Sequence, residues 1–347
     1  MAFTVAELAN ITASALDYNI KGEAFAQSIQ EKPLLKAMTK KQKTFPGGKG
    51  SITGPVRFEY TTAISGYTHN DTVSYANPAN TKRYSYQWKE IHAGISLTNT
   101  ELKIDGISVV DSTTGESVSK HSERELTALT GLLEEKLIDM NEGWAKTFNE
   151  MLWKDGTQDA KVVPGLLSLI TDAPATGVVG GIDRATNALW RNRAATGANK
   201  LTYISGSQVI SKYLRKEIRQ LKRYGGKPTL ILCGSAFLEQ LDAEIESKGT
   251  YTQTGFSKQT TDIGILSISM NGVGEFIYDP TLDDLGRSKF CYFIDESAIQ
   301  LNVMEGEDKK THAPARPHDQ YVIYRAMTWT GGLVGKKFSG CGVYEVA

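Results

Sequence analysis

Eight apolar residues constrain this chain more than any other feature. Leu126, Leu129, Leu133, Leu137, Met140, Trp144, Phe148 and Met151 follow one another at intervals of three, four, four, three, four, four and three. That spacing keeps one stripe aligned at the 3.6-residue helical period. The pattern predicts an unbroken helix from about Ser117, and at roughly 33 residues it would span on the order of 50 Å, longer than the core of most single domains. Such a rod braces something elongated. It leads directly into an Asp155-Gly156 turn and then Pro164-Gly165-Leu166-Leu167.

Ahead of the rod, between Phe45 and Leu97, the period switches to two. Val56, Phe58 and Tyr60 alternate with Arg57 and Glu59, while Tyr84, Tyr86 and Trp88 alternate with Arg83, Ser85, Gln87 and Lys89. Two antiparallel strands are expected, with Gly66, Asn70, Asn77 and Pro78 in the irregular stretch between them. A lone hairpin is marginal in water, so its aromatic face needs a cover, either a neighbouring subunit or the chain's own core sheet. Residues 1–43 carry short amphipathic stretches and a lysine cluster, Lys36, Lys40, Lys41 and Lys43.

Beyond the rod, Ile210, Tyr213, Leu214, Ile218 and Leu221 make a second helical stripe from about Ser207 to Arg223. Its other face holds Lys212, Arg215, Lys216, Arg219, Lys222 and Arg223, with Glu217 as the only acid. A solvated face is the simplest reading. Trp190 beside Arg191 and Arg193 suits an interface, or a buried structural tryptophan.

Composition narrows the classes of function. With 39 basic and 39 acidic residues in 347, the chain is not a strongly basic nucleic-acid binder. No stretch reaches the length of a membrane span, and the start lacks a secretory signal. Cys233, Cys291 and Cys341 are widely spaced, without a Cys-x-x-Cys, and read as buried thiols in a reducing compartment. Phosphate-binding, nucleophile-elbow and zinc-protease motifs are all missing, and His69, His92, His121, His312 and His318 are scattered. Asp283-Asp284 after Pro280 reads as a turn. Nothing here gives a positive reason to propose an enzyme, a cofactor or a metal.

The run Phe148-Asn149-Glu150-Met151-Leu152-Trp153-Lys154-Asp155-Gly156, followed by Pro164-Gly165-Leu166-Leu167, resembles a junction in the major capsid proteins of tailed double-stranded-DNA phages, the Hong Kong 97-type fold. There a spine helix ends in a glycine turn. The order downstream is similar as well: the basic helix, Pro228 to Leu232, Gly234 to Leu238, Phe276 to Asp279, Cys291 to Asp295 and Tyr321 to Tyr344. Gly181-Ile182-Asp183-Arg184 with Trp190-Arg191-Asn192 resembles one branch of the family.

The resemblance implies an α+β subunit: an amino-terminal arm (1–43), an extended hairpin loop (44–98), a peripheral domain with the spine helix (99–155 and 311–347) and an axial domain (156–310). It implies self-assembly into hexamers and pentamers of an icosahedral bacteriophage head, formed in the host cytoplasm without membrane. Packaged double-stranded DNA would lie on the inner face. Chain ends fray unless held, so neighbours are expected to hold both termini, with a separate scaffold, a portal and decoration proteins as further partners. Val56, Phe58, Tyr60, Tyr84, Tyr86, Trp88, Trp190 and Arg191 are the expected intersubunit contacts. Gly131 and Gly143, inside the spine helix, are candidate hinges or sites of close helix packing. The basic helix and the lysine cluster gain alternatives as an intersubunit charge seam or a genome-facing surface. Some relatives link loop lysines to an asparagine near the carboxy-terminal strands. Lys49, Lys82 and Lys89 are present, but no asparagine follows Asn302, so non-covalent contacts are expected to hold the shell. An encapsulin-like enzyme compartment, or a hydrolase with dispersed residues, are the alternative functions.

Overall fold

The computed structural model describes residues 30–73, 75, 80–98, 100, 123–204, 209–246, 268–270, 273–312 and 322–347, with long-helix side chains described from Glu135. Most of the expected arm (1–29) and the first turns of the spine helix (117–122) lie outside the described residues. Two compact units form. One gathers residues 90–148 and 306–330, and the other residues 31–89, 149–305 and 331–347.

Ahead of the long helix lie β1 (Lys43–Phe45), β2 (Ser51–Arg57), β3 (Thr81–Gln87) and β4 (Lys89–Thr98). The helix itself runs Glu123–Trp153. After it come the short β5 (Val178–Val179) and β6 (Ile182–Asp183), then β7 (Arg193–Ala195), β8 (Leu230–Cys233), β9 (Ser269–Met270), β10 (Gly274–Tyr278) and β11 (Phe290–Ile294). β12 (Ile299–Met304), β13 (Lys310–His312), β14 (Val322–Gly335) and β15 (Gly342–Glu345) follow.

The larger unit is built on a six-stranded sheet in the order β7-β15-β11-β8-β10-β9. β15, which the sequence grouped with the closing segment of the spine-helix domain, pairs antiparallel with β11 and parallel with β7 inside this sheet. Every residue of β8 is buried, as expected of a central strand covered on both faces. On one face, Ile231, Cys233, Cys291, Phe293 and Tyr344 meet Ile210, Leu214, Ile218 and Leu221 of the basic helix, Val209–Arg223. Phe237 and Leu241 of the helix Ser235–Glu246 complete that core. Each fully buried side chain of this size contributes roughly 1.5–3 kcal/mol, so the predicted stripe is what docks the basic helix. Asp283, expected in a turn, lies in the short helix Pro280–Asp284 and accepts from Ser235 N at 3.0 Å, capping the earlier helix Ser235–Glu246.

On the other face of the sheet, Tyr292 packs on Trp153 at 5.1 Å between ring centroids. Trp153 closes the long helix, and its indole donates to Asp279 Oδ2 at 2.9 Å. Asn149, one turn earlier, donates to Thr281 Oγ1 at 2.7 Å and accepts from Leu35 N at 3.1 Å. The sequence run after the helix has a steric reason. A Cβ at Gly165 would lie 2.4 Å from the carbonyl oxygens of Met151 and Leu152, so only glycine lets the returning chain cross the helix end. Gly165 N then donates to Lys154 O at 2.8 Å, satisfying a terminal carbonyl. Gly156 turns the chain at φ +84°, a conformation costly for other residues.

A second sheet takes β1 parallel to β12, and β12 antiparallel to the end of β14, with Val303 opposite Gly331 and Ile299 opposite Gly335. Within the smaller unit, the first part of β14 pairs with β13, Ala326 opposite His312. His312 Nε2 lies 2.7 Å from Thr328 Oγ1, so this histidine is a strand residue with a structural partner. Trp144 stacks on Phe148 at 4.5 Å, and Phe148 meets Trp329 at 4.8 Å. Lys309 Nζ sits 4.6 Å from the Trp144 ring centre.

Gly143 is exposed, off the face that carries these rings, and a Cβ placed there would meet nothing within 4 Å among the described residues. Among the described residues, no close contact occupies the place of a side chain at this glycine. Gly143→Ala should therefore stabilise the isolated subunit by about 1 kcal/mol, read as a higher urea midpoint at unchanged slope. A lower midpoint would show that a side chain is not tolerated there.

Candidate assembly surface

β2 and β3 form the expected hairpin, in a register that places Ile52 opposite Tyr86, Gly54 opposite Tyr84 and Val56 opposite Lys82. The first strand therefore starts at Ser51, and Phe58 and Tyr60 lie past its end. Gly54 and Pro55 mimic a break in the sequence. Gly54 is required by its partner, because a Cβ there would fall 2.4 Å from the Tyr84 hydroxyl. Pro55 is tolerated because β2 is the edge strand of the ribbon, whose outer side asks for no N–H.

The apolar face of the ribbon is covered by the chain itself. The Tyr86 hydroxyl donates to Gly335 O at 2.9 Å, and its ring lies against Gly180, where a Cβ would approach to 2.7 Å. Burial pushes the Tyr86 phenol well above its ordinary pKa. Ser85 N donates to Gly180 O at 2.9 Å. Phe58 stands edge-on to Trp190 at 5.9 Å, and Trp190 edge-on to Phe338 at 4.7 Å.

The Gly181-Ile182-Asp183-Arg184 and Trp190-Arg191-Asn192 segments form one knot. Arg184 is fully buried, donates to Thr171 Oγ1 at 2.8 Å and to the Leu169 carbonyl, and lies 4.9 Å from the Phe338 ring centre. Burial pulls its guanidinium down to about 10. Arg191 donates to the carbonyls of Arg184 and Ala185 at 2.6 and 2.7 Å. Asn192 exchanges hydrogen bonds with the Thr171 backbone at 2.9 and 3.2 Å. Among the residues expected to meet a neighbour, Tyr84 and Trp190 are thus buried by their own chain, and Val56, Phe58, Tyr86 and Trp88 are partly covered. Trp88 Nε1 donates to Lys49 O at 2.8 Å.

Tyr60 is the member of that set left open, at 82% exposure, and it does not stand alone. Ile64 and Tyr75 are 101% and 95% exposed, with Tyr67 and Val73 also exposed on the same irregular connection. Asp71 orders its middle by accepting from Thr68 N and Oγ1, both at 2.9 Å. Those bonds hold the Asp71 carboxyl below its ordinary pKa. Among the described residues nothing covers these apolar side chains, and a concentration of this kind is what a contact surface offers. Sequence alternation missed it because the loop has no period.

The basic helix presents a second surface. Lys212, Arg215, Lys216, Arg219, Lys222 and Arg223 lie on its outer side, away from the buried stripe. Glu217, its only acid, faces inward and is gripped by Arg193 through Nε and Nη2 at 2.5 and 2.9 Å. Glu244 accepts from Ile210 N and Ser211 N at 2.7 and 3.0 Å, which places negative charge on the helix N-terminus, where the dipole favours it. The inward acids leave the outer face cationic.

Among the described residues, no group of three or more His, Cys, Asp or Glu could hold a metal ion. No described helix is long and apolar enough to cross a membrane. No protein-family model matches the chain, and no curated protein matches it in sequence. Solved structures do match. The capsid asymmetric unit of cyanophage A-1(L) superposes with a TM-score of 0.68 at 14% identity, over 93% of this chain and 94% of that one. The capsid of a native GTA particle gives 0.54 at 11% identity, over 95% and 98%. The capsid of Myoviridae phage XM1 gives 0.52 at 11% identity, over 94% and 96%. Across nearly its whole length, the chain has the α+β Hong Kong 97-type fold of these capsid subunits.

Proposed function

We propose that this protein is a major capsid protein, many copies of which close into the icosahedral head of a tailed phage around double-stranded DNA. The observation that carries this reading is end-to-end agreement with capsid chains, with no large part of either partner left over. The exposed loop supports it, since a shell subunit needs apolar surface that only a neighbour covers. In this reading the hairpin base is fixed to its own subunit and the tip reaches the next. Repeated overlap of that kind, multiplied by symmetry, holds a closed shell without covalent links. Gly143 lets the spine helix bend during expansion of the shell, and the amino-terminal arm, a scaffold and a portal complete assembly in the host cytoplasm. The role is structural rather than catalytic. Electron microscopy of the purified protein tests the proposal: closed shells support it, and a strictly monomeric protein at high concentration refutes it. Native particles should contain DNA, whereas particles filled with enzyme would make the shell an encapsulin-like compartment.

We assign the cationic face of the basic helix to the phosphates of the packaged DNA. Its charges point outward while the helix's only acid is turned inward, which suits a sequence-independent contact. Lys212→Gln, Arg215→Gln and Arg219→Gln together should weaken binding of a duplex to the soluble subunit. They should also flatten the dependence of log affinity on log salt by about 0.9 for each phosphate that is no longer neutralised. An unchanged salt slope would move the DNA contact elsewhere.

A further inference from the structure

We propose that Cys233 and Cys291 close into an intrachain disulfide when the protein meets an oxidant, stapling β8 to β11 through the core of the six-stranded sheet. The two residues stand directly opposite each other in the antiparallel register. Their sulfur atoms are 3.0 Å apart, and both are free thiols. Opposed residues of an antiparallel pair have Cα atoms about 4.5–5.5 Å apart, inside the span of about 4.4–6.8 Å that a disulfide bridges. The bond therefore asks for side-chain rotation and no shift of strands. Cys341 has a different setting, ahead of β15, where its backbone bonds to Phe338 and Arg193. Both paired thiols are fully buried. Burial pushes the Cys291 thiol up, which keeps its thiolate scarce and the pair unreactive while the core stays closed.

The balance is simple: the two thiols lose two protons and two electrons as the S–S bond forms, and a diazene such as diamide takes both and becomes the hydrazine. The bond would tie off residues 234–290, a long loop whose closure restricts the unfolded chain. A shell protein made in a reducing cell and released outside it would gain this staple after assembly, as transient openings of the core admit dioxygen, which takes the two electrons and two protons and becomes hydrogen peroxide. Only that timing rests on the capsid reading, because the pairing belongs to the folded subunit.

The test treats the purified full-length protein with diamide a few degrees below its melting midpoint, where the core opens transiently. It is then unfolded with iodoacetamide and no reductant, and its intact mass is measured. The expected product carries one carbamidomethyl group, on Cys341, and its digest contains a Cys233–Cys291 linked peptide. Its melting midpoint should rise by about 5–10 °C, reversibly with dithiothreitol. Cys341→Ser should keep the rise and carry no label after oxidation, while Cys291→Ala should show no rise. Should Cys291→Ala fail to fold, the labelling of Cys341→Ser decides alone. Full labelling after oxidation, a link that involves Cys341, or a link between chains overturns the proposal.

Discussion

Serine in place of Tyr60, Ile64, Tyr67 and Tyr75 together should abolish shells while leaving a folded, soluble subunit. In the free chain these side chains are exposed, and exposed substitutions away from structural features usually change stability by no more than about 0.5 kcal/mol. In a shell, each would bury against a neighbour, and each substitution would remove roughly 1.5–3 kcal/mol from every interface in which it takes part. Sedimentation should show only slow species, with circular dichroism unchanged. Shells formed at the parent concentration would exclude the loop from the interface. Serine at Tyr84 and Tyr86 should do the opposite and damage the subunit itself, because their rings lie on Gly54 and Gly180 and the Tyr86 hydroxyl bonds to the Gly335 carbonyl of the same chain.

Asp279→Ala should cost the subunit about 2–3 kcal/mol. The carboxylate accepts from Trp153 Nε1 at 2.9 Å and from Thr281 N at 3.0 Å. Its removal strands a buried indole N–H, a penalty of about 1–3 kcal/mol, and deletes a helix cap of about 1 kcal/mol. Burial raises the folded-state pKa of Asp279, against the opposing hydrogen bonds. The folded state therefore binds its proton more tightly than the unfolded state, and this group adds stability as pH falls towards the carboxylate range. The gap between parent and variant, measured by urea titration, should widen on acidification from pH 7. A gap that narrows, or a variant as stable as the parent, would place Asp279 outside the support of the helix end.

Periodicity made some of this architecture visible in the sequence, and long-range contacts hid the rest. Trp144 and Phe148 advertise the long helix because their burial repeats every turn. The basic helix announces itself in the same way through Leu214, Ile218 and Leu221. The hairpin was visible in Tyr84 and Tyr86, yet its register was not, since Gly54 and Pro55 look like breakers until the Tyr84 ring is in place. What covers the hairpin was equally hidden: Gly180 and Gly335 carry no side chain to betray a partner. Trp190 read equally as anchor or core, and its surroundings are decided by Phe58 and Phe338, both far from it along the chain. Cys233 and Cys291 are strangers in sequence and neighbours across a ladder. The exposed loop escaped because its surface comes from the absence of a cover rather than from any pattern.

The position of β15 bears on when a newly made chain becomes competent. It inserts between β7 and β11, although it leaves the ribosome after every other strand of that sheet. Until it arrives, β7 has no partner in the sheet and β11 has a bare edge. Completion of this sheet thus waits for contacts of very long sequence separation, which form slowly. In the capsid reading proposed above, a chain that stops before β15 would reach a growing shell with those two strand edges still open, so topology itself would disfavour its incorporation.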